Sequence, residues 1–405
     1  MWAMNPLVPA VDPAPLPGPI WLLHLLWVLT FTVHLLMVNA VLGGTVLSAV
    51  ALVRGRAGRG LDAEYRGTAD RLVLGHGGRG LAAWFASINA WTIPFAITFA
   101  IAPLLFMQLL YGRFFYSATI LLAGAWLTML GLLTVAYYLN YLVKRRIKDG
   151  GAPLFLVLGQ ALLFLTIAGI QVAVSLLHQR PDRWSAVSDR PWSVLGDPVF
   201  VPRYLHFVLA AVAVAGGVLA WWRMRRRELD QAGAGSRGGP GGGTNGASPA
   251  VELDGDVRFG LQAAVGATAL QLPVGFWMLF ALPRDVLLGF MKGGPGTMMP
   301  LTLGILTGVA AIVVLALCLS PLAKPRLVRH AMELVCGTMI LMVITRHQLR
   351  EVYLAMESRG APVAVASQWG AIGLFLLCFL GTAVLTGVVL RRAIRDRPGP
   401  GEDAA

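Results

Sequence analysis

Long apolar runs alternate with short polar segments along the whole chain. A helix needs about 20 mostly apolar residues to cross the hydrocarbon layer of a bilayer. By that criterion the sequence predicts spans at residues 20–53, 81–110, 115–143, 153–178, 203–222, 258–282, 299–322, 331–352 and 368–391. Several runs exceed this length, so we expect tilted or extended helices. The predicted fold is all-α, a polytopic bundle of about nine transmembrane helices.

Lysine and arginine are concentrated in alternate connections between these runs. The basic segments lie at residues 54–79, 144–148, 223–227, 324–329 and 391–397. Basic connections of membrane proteins stay on the cytoplasmic side. We therefore expect the N-terminus in the periplasm and the C-terminal tail, residues 392–405, in the cytoplasm. The predicted location is a bacterial inner (cytoplasmic) membrane, where the chain is multi-pass and surrounded by lipid.

The composition agrees with lipid as the solvent. The chain is 57% hydrophobic and 13% charged, whereas a soluble domain is about 25% charged. The net charge of +13 lies in the short connections, so no nucleic-acid partner is expected. All three cysteines lie in apolar runs, and no CxxCH motif for covalent haem is present. The first twenty residues lack the features of a signal peptide, so we expect the first helix to be retained.

The apolar runs recur throughout, which predicts a single transmembrane domain over residues 1–405. The Gly-rich segment 231–250 is expected to be a flexible cytoplasmic linker. The connection 179–202, which contains Trp184 and Trp192, is long enough to cover a site or to meet a periplasmic partner.

Five of the seven histidines lie in or at the ends of spans, in the half of the membrane nearer the periplasm: His24, His34, His178, His206 and His347. A polar side chain inside lipid is costly and marks function by default. Imidazole is the usual axial ligand of haem b, and helix bundles hold such cofactors between facing helices. The alternative is a structural, hydrogen-bonded histidine, and haem ligation is favoured over it for His34 and His206. His76 and His330 are expected at the cytoplasmic surface.

Span eight ends in a charged cluster of Arg346, His347, Arg350 and Glu351. A guanidinium there could pair with a haem propionate or a quinone oxygen. The alternative is that these arginines snorkel into the lipid headgroups. Met298 and Met299 begin span seven on the same side and could supply an axial sulfur, although apolar packing is the favoured role.

Three segments resemble subunit I of the cytochrome bd quinol oxidases: FTVHLLMVNAVLGG in span one, RYLHFVLAAVAVAGGVLAWW in span five and ITRHQLREVYL in span eight. The resemblance covers most of the chain and implies a nine-helix bundle with an outside N-terminus. It implies that His34 ligates a high-spin haem and that His206 ligates a low-spin haem b. The position of the family's haem-ligating glutamate falls on Arg346 or His347, so the axial role passes to His347.

The chain departs from that family at three places. The family's second low-spin ligand, a methionine, would fall near Leu306, and the carboxylates of its third helix are absent. Its quinol-binding loop is reduced to residues 283–298. The clear carboxylate inside the spans is Glu333, whereas oxygen reduction and proton-coupled transport need several buried acids.

These features predict a haem b-containing electron-transfer subunit, an oxidoreductase component that passes electrons between membrane quinone and a periplasmic partner such as a c-type cytochrome. A second membrane subunit is expected to complete the complex. The residues expected to contact haem or quinone are His34, His206, His347, His24, Arg346, Arg350 and Met299, of which the first three would ligate iron. Two alternatives stay open: a terminal quinol:oxygen oxidoreductase of the bd type, and a cofactor-free membrane anchor or transporter subunit.

Overall fold

Nine helices in the described part of the chain are long and apolar enough to cross a membrane, which confirms the all-α, multi-pass prediction. The computed structural model describes residues 8–10, 14–57, 77–237, 255–320, 325–355 and 364–395. Its α-helices are α1 (Ile20–Ala57), α2 (Gly77–Leu121), α3 (Ala123–Lys148), α4 (Leu154–Leu177), α5 (Trp184–Asp189), α6 (Phe200–Arg237), α7 (Gly255–Phe280), α8 (Arg284–Lys292), α9 (Pro295–Leu317), α10 (Pro325–Ala355) and α11 (Trp369–Arg395). All except α5 and α8 are spanning helices.

Helix α2 contains the largest difference from the predicted boundaries. The prediction ended span two at residue 110, and at Tyr111 the backbone does leave the helical conformation (φ −134°, ψ 22°). A second helical segment then continues to Leu121, so the connection expected at residues 111–114 is helical, and the boundary between the two helices falls inside the span predicted at 115–143. Its aromatic residues Phe114 and Phe115 are buried in a core cluster, and this burial stabilises the extra turns.

Two predicted connecting segments are described only in part. Helix α6 extends to Arg237, so residues 231–237 of the expected linker are helical, and residues 238–250 lie outside the described residues. Helix α11 likewise includes the first residues of the expected tail and ends at Arg395. His76 also lies outside the described residues.

Helix α1 is the centre of the bundle, because it packs against α2, α4, α6 and α10. Several of its hydroxyl side chains bond to the helix's own backbone: the Thr30 hydroxyl donates to the Leu26 carbonyl and the Thr45 hydroxyl to the Val41 carbonyl, both at 2.8 Å. Such bonds satisfy hydroxyl groups where no water is present. We call the end of the bundle where α1 begins and α10 ends the His24 end.

Glycines allow the central helices to touch backbone to backbone in the half away from the His24 end. A Cβ on Gly260 would lie 2.6 Å from the Gly216 carbonyl oxygen, and one on Gly216 would lie 2.5 Å from the Gly260 carbonyl oxygen. A Cβ on Gly43 would collide with the Ala211 carbonyl. Small residues at such crossings are the usual means by which membrane helices pack closely.

Replacing Gly260 with alanine is expected to destabilise the protein by about 1–3 kcal/mol, because the new methyl group meets backbone that cannot rotate away. The measurement is the thermal midpoint of the purified protein in detergent. Gly266, in the same helix, is the matched control, since a Cβ there meets no atom within 4 Å. An equal loss of stability in Gly260→Ala and Gly266→Ala would contradict the close crossing.

Packing differs between the two halves of the bundle. Beyond the glycine crossings, away from the His24 end, α6, α7, α9 and α10 share a buried apolar core that includes Leu261, Leu315 and Val328. Nearer the His24 end, four stretches contain no fully buried residue: 31–38, 203–210, 269–281 and 336–342. These stretches belong to α1, α6, α7 and α10, and two of them carry His34 and His206. Accessible surface on every face of a central helix indicates open space beside it.

Candidate functional site

A cluster of titratable side chains lies at the His24 end, where α1, α2 and α10 meet. We call it the His24 cluster: His24, Tyr111, His347, Arg350 and Glu351. The rings of His24 and His347 are 4.6 Å apart and nearly perpendicular, at 78°. One ligand atom from each of His24, His347 and Glu351 lies within 4.8 Å of the other two. The Tyr111 hydroxyl donates a hydrogen bond to Glu351 Oε1.

Arg350 is fully buried within this cluster. Its guanidinium carbon lies 4.2 Å from the centre of the Trp27 ring and 5.0 Å from that of Tyr111. None of its three side-chain nitrogens has a hydrogen-bond partner among the described residues. The snorkelling alternative, which needs an exposed guanidinium, therefore does not describe Arg350, whose guanidinium is buried between aromatic faces.

Arg346 precedes Arg350 by one turn of α10 and so lies farther from the His24 end, on the side of His34. Its Nη2 donates to the Ser175 hydroxyl at 2.6 Å, and its guanidinium carbon lies 4.9 Å from the centre of the Phe31 ring. The same Phe31 ring is 6.3 Å from the ring of His34. A single aromatic side chain thus separates this cation from the deeper histidine.

His34 has a defined tautomer. Its Nδ1 lies 3.0 Å from the Ala96 carbonyl oxygen, which can only accept a proton, so Nδ1 must be the donor. The lone pair of the neutral ring is then on Nε2. A histidine that ligates a metal commonly donates its other ring nitrogen to a backbone carbonyl in this way. His34 therefore has the hydrogen-bonding pattern of an axial ligand.

His206 lies between α6 and α7, in one of the stretches without fully buried residues. Its Nδ1 is buried and has no hydrogen-bond partner among the described residues. The ring packs against the face of α7 at Gly275, where a Cβ would lie 3.7 Å from Nδ1. An unsatisfied buried nitrogen is costly, so the Nδ1 of His206 can gain by binding a further partner.

His178 is bonded to the protein through Nδ1, whereas its Nε2 is buried without a hydrogen-bond partner among the described residues. It is buried at the end of α4, with its Nδ1 donating to the Val174 carbonyl at 3.3 Å. Burial, and next the positive charges of Arg350 and Arg346, hold the pKa of His178 well below its usual value. The ring is therefore neutral at pH 7 and does not add to the charge of the cluster.

The other predicted residues lie elsewhere. The Met299 side chain is 59% exposed, whereas Met298 packs against a core cluster with Phe290 and Leu349. His330 is exposed near the start of α10, with its ring 2.9 Å from the Glu333 carboxylate, in agreement with the surface role expected for it.

The connection after α4 covers the end of the helices. Trp184 is buried in a cluster with Tyr111, Phe114 and Leu354, and its indole nitrogen donates to the Leu177 carbonyl at 3.0 Å. Trp192, in the same connection, is 69% exposed. This connection was expected either to cover a site or to meet a periplasmic partner. The buried Trp184 suits the first role, and the exposed Trp192 suits the second.

Sequence reasoning did not single out Tyr111 or Trp27. A tyrosine near the end of a span is common at membrane interfaces, and a tryptophan inside a span is commonly a packing residue. One signal was available: His347 and Glu351 are four positions apart and so share a face of α10. His24 was expected to contact haem or quinone without ligating iron, and its ring contacts that of His347 directly.

No protein-family model matches this chain, and no curated protein matches it either. The likeness to cytochrome bd subunit I therefore rests on the segments quoted above. His34 and His206 lie in loosely packed stretches and could serve as axial ligands of a haem, and the half-buried guanidinium of Arg346, close to His34, is of the type that pairs with a haem propionate.

Proposed function

We propose that this protein is a haem b-containing electron-transfer subunit of a membrane complex. The observation that carries the proposal is the placement of His34 and His206 in the loosely packed half of the bundle, each with a ring nitrogen available to iron. A haem b, when bound, supplies a one-electron carrier inside the membrane. The protein would contribute the axial ligands, the charge around the ring and the exclusion of water.

His34 would bind iron through Nε2, because its Nδ1 is committed to the Ala96 carbonyl. His206 would bind through whichever nitrogen faces the space between α6 and α7. The two histidines lie on different helix pairs, His34 against α2 and His206 against α7. This separation favours two haem positions over one haem shared between them.

Arg346 would pair with a propionate of the haem at His34. It is the cation next to the Phe31 ring that contacts His34, and it has one hydrogen bond, to Ser175, in the described part of the chain. Arginine suits this role because its planar group can donate two parallel bonds to a carboxylate. A quinone oxygen is the other acceptor that Arg346 and Arg350 could serve.

The location of the site near one end of the bundle supports a proposal for the redox partners. We propose membrane quinone on one side of the transfer and a periplasmic electron carrier, such as a c-type cytochrome, on the other. Trp192 is exposed in the same connection as the buried Trp184, and exposed tryptophans are common anchors in protein interfaces. A second membrane subunit would cover part of the apolar helix surface.

The test is the reduced-minus-oxidised spectrum of the purified full-length protein, with haem quantified per chain. We expect a b-type α band. We further expect His34→Ala and His206→Ala each to weaken haem binding at their own position at least about tenfold, since a lost first ligand costs more than a lost second-sphere contact.

The matched control is His330→Ala, because His330 is exposed and pairs with Glu333. It should retain full haem content. A wild-type protein without any b-type band, in a stable and monodisperse preparation, would contradict the proposal and favour the cofactor-free anchor. Quinol-dependent oxygen uptake by a wild-type preparation that does show the b-type band would favour the terminal oxidase.

A further inference from the structure

We infer that His24, His347 and Glu351 bind a divalent transition-metal ion that is separate from any haem on His34 and His206. The inference goes beyond the proposed function, because it concerns different residues and a different group. It also changes the expected role of His347, for which the sequence had predicted ligation of haem iron.

The donor set suits such an ion in number and type. Two helices supply it: His24 from the first turns of α1, and His347 and Glu351 from one face of α10. The three ligand atoms lie within 4.8 Å of one another. In zinc and non-haem iron sites, ligand atoms bind at about 2.0–2.2 Å from the metal, so small side-chain rotations would close this triangle around an ion. Two imidazoles and one carboxylate are a usual ligand set for zinc and for non-haem iron(II).

A haem does not fit between these two histidines as they stand. Axial imidazoles must lie on opposite faces of the macrocycle, with the ring between them. The His24 and His347 rings instead meet edge to face with centroids 4.6 Å apart. That distance is one of direct contact, so only a small ion can share both rings.

The surroundings of the three ligands are organised as a second coordination sphere. The Tyr111 hydroxyl donates to Glu351 Oε1 and so leaves Oε2 of this carboxylate for a metal. The break in α2 falls at Tyr111 itself, which brings this ring to the cluster. The Nδ1 of His347 is buried without a hydrogen-bond partner among the described residues, which is a second, independent sign of a missing ligand.

The charged groups that act on the two imidazoles are Glu351, Arg350 and Arg346. The two guanidinium groups would repel a bare dication, and the single carboxylate would not neutralise it. We therefore expect the open coordination position to hold an anion such as hydroxide or a small carboxylate. Arg350, which lacks a hydrogen-bond partner in the described structure, would then donate to that anion.

The experiment measures metal in the full-length protein, purified in detergent without chelators, by elemental analysis. It is followed by Co²⁺ titration of the metal-depleted protein, read by the visible bands of the bound ion. We expect one metal ion per chain in the wild type. Glu351→Gln should weaken Co²⁺ binding by at least about tenfold, and Tyr111→Phe, which removes a second-sphere hydroxyl, by about tenfold.

Tyr111→Phe keeps the ring and so tests the inference even where Glu351→Gln does not fold. The control is His330→Gln, which alters an exposed His–Glu pair at the other end of α10 and should leave Co²⁺ binding unchanged. A wild type that binds no metal, or binding unaffected by both Glu351→Gln and Tyr111→Phe, would overturn the inference. The inference would also be overturned if His347→Gln lost haem but kept its metal. Haem content is read separately, so the failure of the proposed haem and the failure of this metal site are distinguishable.

Discussion

Replacing Trp27 with alanine is expected to lower the free energy of unfolding by about 3–5 kcal/mol, the usual cost of truncating a buried tryptophan. Trp27 is fully buried in α1. Its ring stacks on Phe31 at 4.9 Å, contacts the ring of His347 at 5.2 Å and lies 4.2 Å from the Arg350 guanidinium. Removing it leaves a cavity and also exposes a buried cation to empty, apolar space, which adds to the cost.

The measurement for Trp27→Ala is thermal or denaturant unfolding in detergent, together with metal and haem content. Trp21 provides a matched control, because it is a tryptophan of the same helix with 66% of its surface exposed. Trp21→Ala should change stability by less than about 0.5 kcal/mol. Equal effects of the two substitutions would mean that Trp27 does not support the His24 cluster.

Replacing Trp184 with alanine is expected to cost a similar amount, about 3–5 kcal/mol, and to open the connection between α4 and α6. Its side chain is buried among residues of α2, α4 and α10, including Phe114 and Leu354. Its hydrogen bond to the Leu177 carbonyl is lost as well, although that carbonyl keeps its bond from the Arg180 backbone N–H at 3.0 Å. Limited proteolysis should therefore cleave within residues 178–199 faster than in the wild type, alongside a lower thermal midpoint.

Trp192→Ala is the control within the same connection, since the Trp192 side chain is 69% exposed. It should leave both the thermal midpoint and the cleavage rate unchanged. A protease-resistant Trp184→Ala variant of normal stability would show that the connection is held by other contacts. Loss of electron transfer to a c-type cytochrome in Trp192→Ala, at unchanged stability, would support the docking role proposed for it.

The number and approximate limits of the spanning helices could be predicted from the sequence, because lipid solvent imposes a simple rule on apolar length. The prediction that span four covers residues 153–178 agrees closely with α4, Leu154–Leu177. Span three was predicted to begin at residue 115, whereas α3 begins at Ala123. Arg113 resembles a loop residue, but it lies in the second helical segment of α2, so the prediction placed the connection too early. A charge near a helix break is not distinguishable from a charge in a turn by hydropathy alone.

The composition of the candidate site was only partly predictable. Histidines in spans could be identified as candidates, since each is costly in lipid. Their grouping depends on how each helix is rotated about its axis, which hydropathy does not specify when a helix is apolar on all faces. His24 and His347 are therefore neighbours in space that no sequence pattern pairs. Tyr111, whose hydroxyl donates to Glu351, lies where α2 breaks, which hydropathy does not predict either.

The glycine crossings have a consequence for folding. Gly216 with Gly260, and Gly43 with Ala211, hold the helices backbone to backbone in one half of the bundle. The described stretches around His34 and His206 contain no fully buried residue. Any group taken up there, such as the haem proposed above, would therefore enter a bundle whose helices are already held together by the crossings.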